Sequence, residues 1–357
     1  MKAGIWGTGV VAHTHAEAII GDGVPIGAVV DIDLLRAEAF AELWGAEKYD
    51  RDSSILFSDD ITVVHVCTPS NLHYEMVMKL LESGKHVLCE KPLCLEVAQA
   101  NEIVRYAKEK SLICAVNYNV RFHDACRRAI EVVASPDFGP IHLIHGSYLQ
   151  EFHSFPAPMG WRYDNIAAGK MRAVTEIGSH WMDLAEYISG IKITHVSAVF
   201  RNFHPTRAME NGIMTSAARN PDGEMIDIDS EDAATVNFRF EGGAIGTALF
   251  SEVSPGRVNR LSLEVTGTHQ NLWWNSEENN VLNVAQKEDG VNTIVNPFGN
   301  GFTDTFRALI GEYYKDVRAG VASSNPVYPT LETGARVVKL CHALMESDRN
   351  GAQWVEV

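Results

Sequence analysis

The segment that most constrains the fold is Gly7-Thr8-Gly9-Val10-Val11-Ala12, which lies between a strand-like run at residues 2–6 and a helical pattern that reaches residue 20. In this G-x-G-x-x-A pattern the first glycine permits a tight turn, and the second lets the backbone approach a pyrophosphate. The amino end of the helix attracts phosphate groups. A second strand at residues 26–30 ends in Asp31, whose carboxylate is placed to hold a ribose 2′-hydroxyl. The run therefore predicts a dinucleotide site.

Strands and helices continue to alternate after this site. Further strands are predicted at residues 63–67, 86–89 and 112–117, with helices at 73–83 and 95–110 between them. Regular alternation of this kind is typical of a parallel sheet covered by helices on both faces. We therefore predict an α/β fold class, with a Rossmann-type, doubly wound parallel sheet forming a nucleotide-binding domain over residues 1–120.

The pattern changes beyond residue 122. A helix near residues 124–134 precedes strand-like runs at 141–149, 195–200, 233–240, 244–250, 261–266 and 271–274, and consecutive strands without crossover helices are usually antiparallel. Residues 201–231 are polar and are interpreted as a long excursion. Residues 121–357 are thus predicted to form an α+β domain for substrate binding and oligomerisation, built on a mostly antiparallel, open-faced sheet. We expect its C-terminal helix to pack back on the first domain.

Composition narrows the class of partner. The chain has 357 residues, 46% of them hydrophobic, and its formal net charge of −16 disfavours nucleic acid and anionic membranes. No run approaches the roughly 18 apolar residues of a membrane helix, and the first strand begins without a charged leader. The six cysteines show neither a CxxC pair nor metal-ligand spacing. We expect a cytoplasmic protein with reduced thiols and no metal site.

A lysine follows a buried strand at residues 85–95, KHVLCEKPLCL. Pro92 cannot continue a central strand, and ligands collect outside the carboxyl ends of the strands in an open parallel sheet. Lys91, beside Glu90, is therefore expected to project into the crevice. The alternative for an isolated Glu-Lys-Pro tripeptide is a solvated charge pair in a loop.

A second candidate is the run TEIGSHWMDLAEYI at residues 175–188. If it is helical, Glu176, His180 and Asp183 lie at i, i+4 and i+7 on one face. A histidine between two carboxylates suits a general base that works near neutral pH. The alternative is a surface helix whose histidine only balances charge. Gly178 disfavours that alternative, since a glycine in a helix often marks close approach by a neighbour.

Taken in order, these motifs resemble the Gfo/Idh/MocA oxidoreductases of sugars and cyclitols over nearly the whole chain. The resemblance implies that Lys91 and His180 are the catalytic pair, that Glu176 orients His180, and that Asp183 contributes to substrate binding. Arg172 and Tyr163 are the other expected substrate-binding residues. The expected cofactor-binding residues are Gly7, Thr8, Gly9, Val10, Val11, Asp31, Thr68, Pro69, Asn71, His73, Glu90, Lys91, Asn119, Trp161 and Arg162.

The chain departs from the family pattern at two places. The position that is usually Asp is Glu176, and the usual glycine-rich stretch before it reads Gly169-Lys170-Met171-Arg172. Lys170 and Arg172 could face a carboxylate or phosphate of the substrate, or they could be solvated loop cations. These departures bear on which substrate is bound.

The resemblance implies transfer of a hydride between a nicotinamide cofactor and a hydroxyl or keto carbon. Three other readings stay open: an NAD-dependent glycosidase that oxidises transiently, a non-catalytic NAD-binding sugar sensor, and a dehydrogenase of a non-sugar substrate. Asp31 favours NAD over NADP, because its charge would repel a 2′-phosphate. Arg36 could turn towards that phosphate, but an i, i+3 pair with Asp33 is the favoured alternative. Apolar positions on both faces of the second sheet predict a homodimer or homotetramer.

Overall fold

The computed structural model describes all 357 residues, which divide into two compact units. The first unit comprises Met1–Phe122 and Gly301–Val338, and the second comprises His123–Asn300 and Lys339–Val357. None of the helices combines the length and the apolar composition that crossing a membrane requires.

The first unit is built on a six-stranded parallel sheet in the order β3-β2-β1-β4-β5-β6. Its strands are β1 (Lys2–Trp6), β2 (Ile26–Val30), β3 (Tyr49–Asp50), β4 (Ile61–Val66), β5 (His86–Cys89) and β6 (Cys114–Val116). The helices between them are α1 (Val10–Gly21), α2 (Leu34–Trp44), α3 (His73–Glu82) and α4 (Val97–Glu109). Strand β2 is buried along its whole length, as expected of a sheet covered on both faces. The predicted doubly wound parallel sheet is confirmed.

The second unit contains a nine-stranded mixed sheet in the order β18-β17-β16-β15-β7-β14-β13-β9-β19. Its strands are β7 (Ile141–Leu149), β9 (Ile193–Arg201), β13 (Ala233–Phe240), β14 (Ile245–Ser251), β15 (Arg260–Gly267), β16 (Gln270–Asn275), β17 (Val281–Gln286), β18 (Gly290–Val295) and β19 (Val355–Glu356). Only β7 and β14 pair in parallel, so the expected mostly antiparallel sheet is confirmed.

Helices α5 (Asp124–Val133) and α6 (Ser179–Ser189) also belong to this unit. Trp181 of α6 stacks on Phe238 of β13 with ring centroids 5.3 Å apart, so α6 covers one face of the sheet. Along β13 and β14, buried and exposed residues alternate, which leaves the opposite face of these strands open.

The polar excursion at residues 201–231 forms three strands, which the sequence did not reveal. They are β10 (Thr206–Glu210), β11 (Ile213–Ser216) and β12 (Glu224–Asp227), and they join β8 (Ala157–Pro158) in a small four-stranded sheet. A small core of Ala157, Tyr163, Met214 and Ile228 supports this sheet. Its exposed positions mix polar residues with Ile213 and Met225, so the run lacks the apolar alternation by which β13 and β14 were recognised.

The units differ from the predicted domains in one respect. The first unit includes Met1–Phe122, and Gly301–Val338 belongs to it and not to the second unit. This segment carries α7 (Phe302–Ala319) and the start of α8 (Leu331–Arg349). Phe306, Leu309 and Ile310 of α7 pack in the same core as Ala16 and Ile19 of α1, because α1 has an apolar outer face that the first 122 residues leave uncovered.

Candidate active site

The glycine-rich turn of the first unit leaves its backbone open in front of α1. Gly7 has a φ of +92°, and a Cβ there would lie 2.8 Å from the Cys67 carbonyl oxygen, so only glycine fits the turn. Gly9 precedes α1 as its N-cap, and a Cβ there would meet no atom within 4 Å. Val10 is 91% exposed. An unobstructed helix N-terminus beside a glycine backbone fits a pyrophosphate.

Asp31 follows β2, and hydrogen bonds hold its carboxylate in place. Oδ2 accepts from both the backbone nitrogen and the hydroxyl of Thr8, each at 2.8 Å. Oδ1 accepts from the Asp33 amide at 2.9 Å and from Arg36 Nη2 at 2.7 Å. Burial alone would raise the pKa of Asp31, but these hydrogen bonds outweigh it and lower the pKa. The carboxylate is therefore anionic where a ribose would bind.

Arg36 lies between two carboxylates. The expected pair with Asp33 is present, since Arg36 Nε is 3.5 Å from Asp33 Oδ2, and the Asp33 side chain also caps α2. The bond from Arg36 to Asp31 was not expected. It adds a positive charge beside the carboxylate that is predicted to hold the ribose, with an arginine side chain that is more than half exposed.

The Glu90-Lys91-Pro92 segment follows β5 as predicted, but Glu90 is directed into the unit. Lys91 is partly exposed, and Glu90 is buried. The Glu90 carboxylate accepts hydrogen bonds from His15 Nε2 at 2.8 Å, from Asn117 Nδ2 at 2.6 Å and from the Lys91 amide at 3.2 Å. The Glu90 oxygens are thus engaged by the protein's own donors, and contact of Glu90 with the cofactor stays a prediction.

His73 and Asn119 connect loops inside the first unit. The two ring nitrogens of His73 lie 2.8 Å from the Pro92 carbonyl oxygen and 2.9 Å from that of Thr68, and Asn119 donates to the Thr305 hydroxyl at 2.7 Å. Both residues are buried, so direct contact with a cofactor, as expected from the sequence, is not supported. Thr68 and Pro69 are partly exposed and Asn71 is exposed, so these three remain candidates for cofactor contact.

The helix that carries Glu176, His180 and Asp183 is not regular. Val174–Gly178 form a π-helical turn, and α6 starts only at Ser179. The helix is buried almost throughout, including His180 and Asp183, so the surface-helix alternative is wrong. A Cβ at Gly178 would lie 2.7 Å from Phe250 Cδ2, which is the close approach that the glycine indicated. Irregular π turns occur frequently at functional sites.

Glu176 and the Trp161-Arg162 pair lie together in the second unit. Arg162 Nε donates to Glu176 Oε2 at 2.8 Å, and the Arg162 guanidinium lies 4.8 Å from the centre of the Trp161 ring. The longer glutamate at this position is thus paired with an arginine whose side chain is 46% exposed. We did not expect this pair from the sequence.

Tyr148 is a neighbour of His180 that the sequence reasoning missed. The two ring centres are 6.4 Å apart, and the Tyr148 hydroxyl donates to Asn259 at 2.8 Å. Burial raises the pKa of Tyr148 far above its ordinary value, so the phenol stays neutral. The available signal was the two-residue period of a strand, which places Tyr148 on the same face of β7 as the buried Ile144.

Arg172 and Tyr163 lie in a buried ionic cluster, and this position does not support the expected contact with substrate. Arg172 is fully buried, pairs with Asp232, and donates from Nε to Glu252 Oε2 at 2.7 Å. Arg207, also fully buried, pairs with Asp232 at 2.7 Å and donates to the Tyr163 hydroxyl at 3.1 Å. The alternative of a solvated loop cation is wrong for Arg172, whereas Lys170 is exposed.

Glu231 completes this cluster, which we call the Arg172 cluster: Tyr163, Arg172, Arg207, Glu231, Asp232 and Glu252. Glu231 accepts from the backbone nitrogens of Arg172 at 3.0 Å and of Val174 at 2.9 Å. Burial raises the pKa of Glu231 and of Glu252 to about 7. The cluster thus fixes the backbone at the start of the π turn. Its acids lie next to two strands: Glu231 and Asp232 precede β13, and Glu252 follows β14.

Comparison with known proteins agrees with the fold described above. Residues 1–118 match the model of the Gfo/Idh/MocA oxidoreductase family with an NAD-binding Rossmann fold, and residues 126–272 match the Gfo/Idh/MocA C-terminal domain. Levoglucosan dehydrogenase of Pseudarthrobacter phenanthrenivorans is 29% identical over 346 residues, 90% of this chain and 87% of that protein. Myo-inositol 2-dehydrogenase of Thermotoga maritima is 25% identical over 97% of this chain and 96% of its own length.

Solved structures of relatives extend the match to the whole fold. A levoglucosan dehydrogenase in complex with NADH and L-sorbose has a TM-score of 0.91 and 25% identity, covering all of this chain and 98% of that one. The chain therefore belongs to the Gfo/Idh/MocA family of oxidoreductases, and NAD is its cofactor.

Proposed function

We propose that this enzyme oxidises a hydroxyl of a neutral sugar, sugar derivative or cyclitol, or reduces the corresponding ketone. The observation that carries the proposal is the buried His180, followed along α6 by the buried Asp183 in a unit that matches the family's C-terminal domain. The names of the relatives support the substrate class, since they include levoglucosan dehydrogenase, myo-inositol 2-dehydrogenase and D-glucoside 3-dehydrogenase.

The proposed mechanism assigns the proton to His180. A secondary alcohol that becomes a ketone loses a hydride and a proton, and NAD, when bound, accepts the hydride. His180 takes the hydroxyl proton as general base, and Lys91 donates a hydrogen bond to the oxygen that becomes the carbonyl. In the reverse direction His180 returns the proton to the oxygen. Asp183 accepts hydrogen bonds from substrate hydroxyls.

A neutral substrate is favoured because the arginines near the π turn are already paired. Arg172 and Arg207 are fully buried and held by Asp232 and Glu252, and Arg162 is paired with Glu176. Recognition of a phosphate or carboxylate usually needs an arginine whose fork of N–H donors is available. These pairings support polyols over sugar phosphates, sugar acids and amino acids.

A substrate panel tests the proposal. Neutral sugars, anhydrosugars and cyclitols are offered with NAD⁺, beside their phosphorylated and carboxylated counterparts, and NADH release is followed by absorbance. We expect turnover with at least one neutral polyol and little with its anionic counterpart. Turnover confined to anionic substrates would contradict the proposal. Substrate cleavage without NADH release would instead identify a glycosidase that regenerates its bound cofactor.

We also propose that the enzyme is a cytoplasmic homodimer or homotetramer that assembles through the open face of the nine-stranded sheet. Val199 of β9 and Ile245 and Leu249 of β14 support this, since they are 53%, 58% and 41% exposed on that face, where β13 separates the two strands. Exposed apolar side chains that share one face of a sheet favour association. The net charge of −16 supports the absence of nucleic acid and anionic membranes among the partners.

A further inference from the structure

A chain of four buried side chains ends on Glu90 in the core of the first unit. The Tyr314 hydroxyl of α7 lies 2.7 Å from His65 Nε2, His65 Nδ1 lies 2.8 Å from His15 Nδ1, and His15 Nε2 lies 2.8 Å from Glu90 Oε1. Tyr314, His65 and His15 are fully buried. The nucleotide fingerprint and the proposed chemistry assign no role to these three residues.

Hydrogen-bond accounting gives one arrangement of protons for this chain. A carboxylate only accepts, so His15 Nε2 carries a hydrogen and donates to Glu90. If His15 Nδ1 also carried one, His65 would donate to Tyr314, and the tyrosine hydrogen would have no acceptor, because its hydroxyl makes no other hydrogen bond. With both histidines neutral, Tyr314 donates to His65, His65 Nδ1 donates to His15, and every group is satisfied. All donors then point towards Glu90.

The surroundings of His65 and Tyr314 agree with this direction. Burial lowers the pKa of His65 well below its ordinary value, so His65 is neutral. Burial raises the pKa of Tyr314 well above its ordinary value, so the phenol keeps its proton. Burial would also raise the pKa of Glu90, but the hydrogen bond from His15, the attraction of a positive charge on that ring, the hydrogen bond from Asn117 and the charge of Lys91 outweigh it and lower the pKa. The lowered pKa of Glu90 therefore does not distinguish a neutral from a cationic His15, and the NMR experiment below does. The other titratable groups that face Glu90 are His73, Cys67 and Cys89.

We propose that Tyr314, His65 and His15 are positioning residues that fix the Glu90 carboxylate and, through it, the backbone of Lys91. The link is the second carboxylate oxygen, since Glu90 Oε2 accepts the Lys91 amide at 3.2 Å. Glu90 has few ways to rotate, because Asn117 and His15 both donate to Oε1. The segment that presents Lys91 is thus held by a chain of donors that begins on α7. The importance of this chain for turnover rests on the proposed catalytic role of Lys91.

The proton arrangement is tested without any assay of turnover. Histidine-labelled enzyme saturated with NAD⁺ is examined by long-range ¹H–¹⁵N NMR, and Tyr314→Phe, His15→Gln and His65→Gln assign the resonances. We expect two neutral histidines, His15 with its hydrogen on Nε2 and His65 with its hydrogen on Nδ1, and a shift of the His65 resonances in Tyr314→Phe. A cationic His15 or His65 at neutral pH, or the opposite tautomer, overturns the proposal.

Kinetics test the positioning with a matched control. Tyr313→Phe also removes a buried hydroxyl of α7, which donates to the Ile113 carbonyl at 3.0 Å and lies outside the chain. We expect His15→Leu to lower kcat by about 10- to 100-fold, the value of one hydrogen bond to a charged group, with an unchanged KM for NAD⁺. His15→Gln, which retains a donor, should recover most of the loss, and Tyr314→Phe should lower kcat more than Tyr313→Phe.

Two kinetic results contradict the positioning role. Equal losses of kcat in Tyr313→Phe and Tyr314→Phe would show that the effect comes from packing. A loss of kcat in His15→Gln as large as in His15→Leu would show that a hydrogen-bond donor at residue 15 does not support turnover. If His15→Leu does not fold, two comparisons still test the positioning role: Tyr314→Phe with Tyr313→Phe, and His15→Gln with the wild type. If the wild type oxidises no polyol, the proposed function fails, and the NMR result alone upholds or overturns the chain.

Discussion

We expect Asp31 to control the choice between NAD and NADP through its single carboxylate. A 2′-phosphate about 4 Å away would be repelled by roughly 1 kcal/mol in water and by about 4 kcal/mol at an effective dielectric constant of 20. Arg36 donates to the same carboxylate and neutralises part of this repulsion. We expect Asp31→Ser to narrow the preference for NAD⁺ by about ten-fold or more in kcat/KM, measured with both cofactors.

Asp33→Ser is the control for this prediction, since it removes a nearby charge but keeps a residue that can cap α2. It should change the cofactor preference less than Asp31→Ser. A wild-type enzyme with the higher kcat/KM for NADP⁺ would show that Arg36, and not Asp31, governs the pocket.

Lys91 and His180 are expected to act on the reacting oxygen and not on the adenosine half of the cofactor. Lys91→Ala and His180→Ala should each lower kcat by at least about 10² to 10⁴-fold, the usual contribution of a proton-transferring group. Binding of NADH, followed by fluorescence titration, should survive in both. Lys170→Ala, at an exposed lysine on the loop before the π turn, is the control. Near-native turnover in either variant would exclude the proposed mechanism.

At the residue scale, the sequence predicted where a side chain lies when its position depends only on the neighbouring chain. Asp31 and Lys91 follow strands whose apolar runs were recognisable, so their places at the sheet edge could be inferred. Arg172 could not be placed in this way, because its partners Asp232 and Glu252 lie 60 and 80 residues further along the chain. Whether a charged side chain is solvated or buried depends on such distant partners.

Gly178 allows the π turn and α6 to pack against β14. Alanine there would place its Cβ 2.7 and 2.9 Å from two atoms of the Phe250 ring. Alanine normally favours a helix over glycine by about 1 kcal/mol, but overpacking costs about 1–3 kcal/mol. We expect Gly178→Ala to lower the free energy of unfolding by up to about 2 kcal/mol in urea titrations, which is the overpacking cost less the gain in helix propensity.

Two further variants separate packing from helix propensity. Gly178→Ala combined with Phe250→Leu should cost less than the sum of the two single changes, because leucine leaves room for the methyl group. Gly21→Ala is the control, since its Cβ would lie 3.5 Å from the nearest atom of Arg307, an ordinary contact. Loss of stability in Gly21→Ala as large as in Gly178→Ala would contradict the steric explanation.

The Arg172 cluster should make the second unit less stable at higher pH. Burial raises the pKa of Glu231 and Glu252 from 4.5 to about 7. The unfolded chain ionises these groups at lower pH than the folded chain does, so the folded state binds more protons between these values. Their contribution to the free energy of unfolding is complete below about pH 4.5 and is lost as the pH rises through about 7. The loss is on the order of 3 kcal/mol per group.

Urea unfolding from about pH 5 to pH 8 measures this slope. Glu231→Gln should flatten it, because one of the two titrating groups is removed. Glu288→Gln, at an exposed glutamate of the same unit, should leave the slope unchanged. A wild-type protein that gains stability across this range would contradict the prediction.

At the element scale, strands with alternating apolar residues were found and others were missed. The predicted strand at residues 141–149 coincides with β7, and that at 233–240 coincides with β13. The residues of β18 are exposed along nearly its whole length, so the strand shows no alternation of apolar and polar residues from which it could be inferred. The π turn was also missed, because an irregular first turn has no distinct hydrophobic period.

The open face of the nine-stranded sheet predicts the assembly of the whole molecule. Light scattering at micromolar concentration should give a mass of two or four subunits. Ile245→Lys combined with Leu249→Lys should shift the mass towards the monomer, because two charges would be buried in the interface. Leu43→Lys, which changes a 66% exposed leucine on α2, should not. A monomeric wild type would contradict this assembly.

The interruption of the first unit between Phe122 and Gly301 sets the order in which the chain can finish folding during synthesis. The sheet is complete once β6 has left the ribosome, but the apolar face of α1 is not covered until Phe306, Leu309 and Ile310 of α7 have been made. The intervening residues 123–300 take roughly 10 to 40 seconds to translate at ordinary rates. During that time α1 presents an apolar surface to chaperones and to neighbouring nascent chains, and a chain truncated before Gly301 presents it permanently.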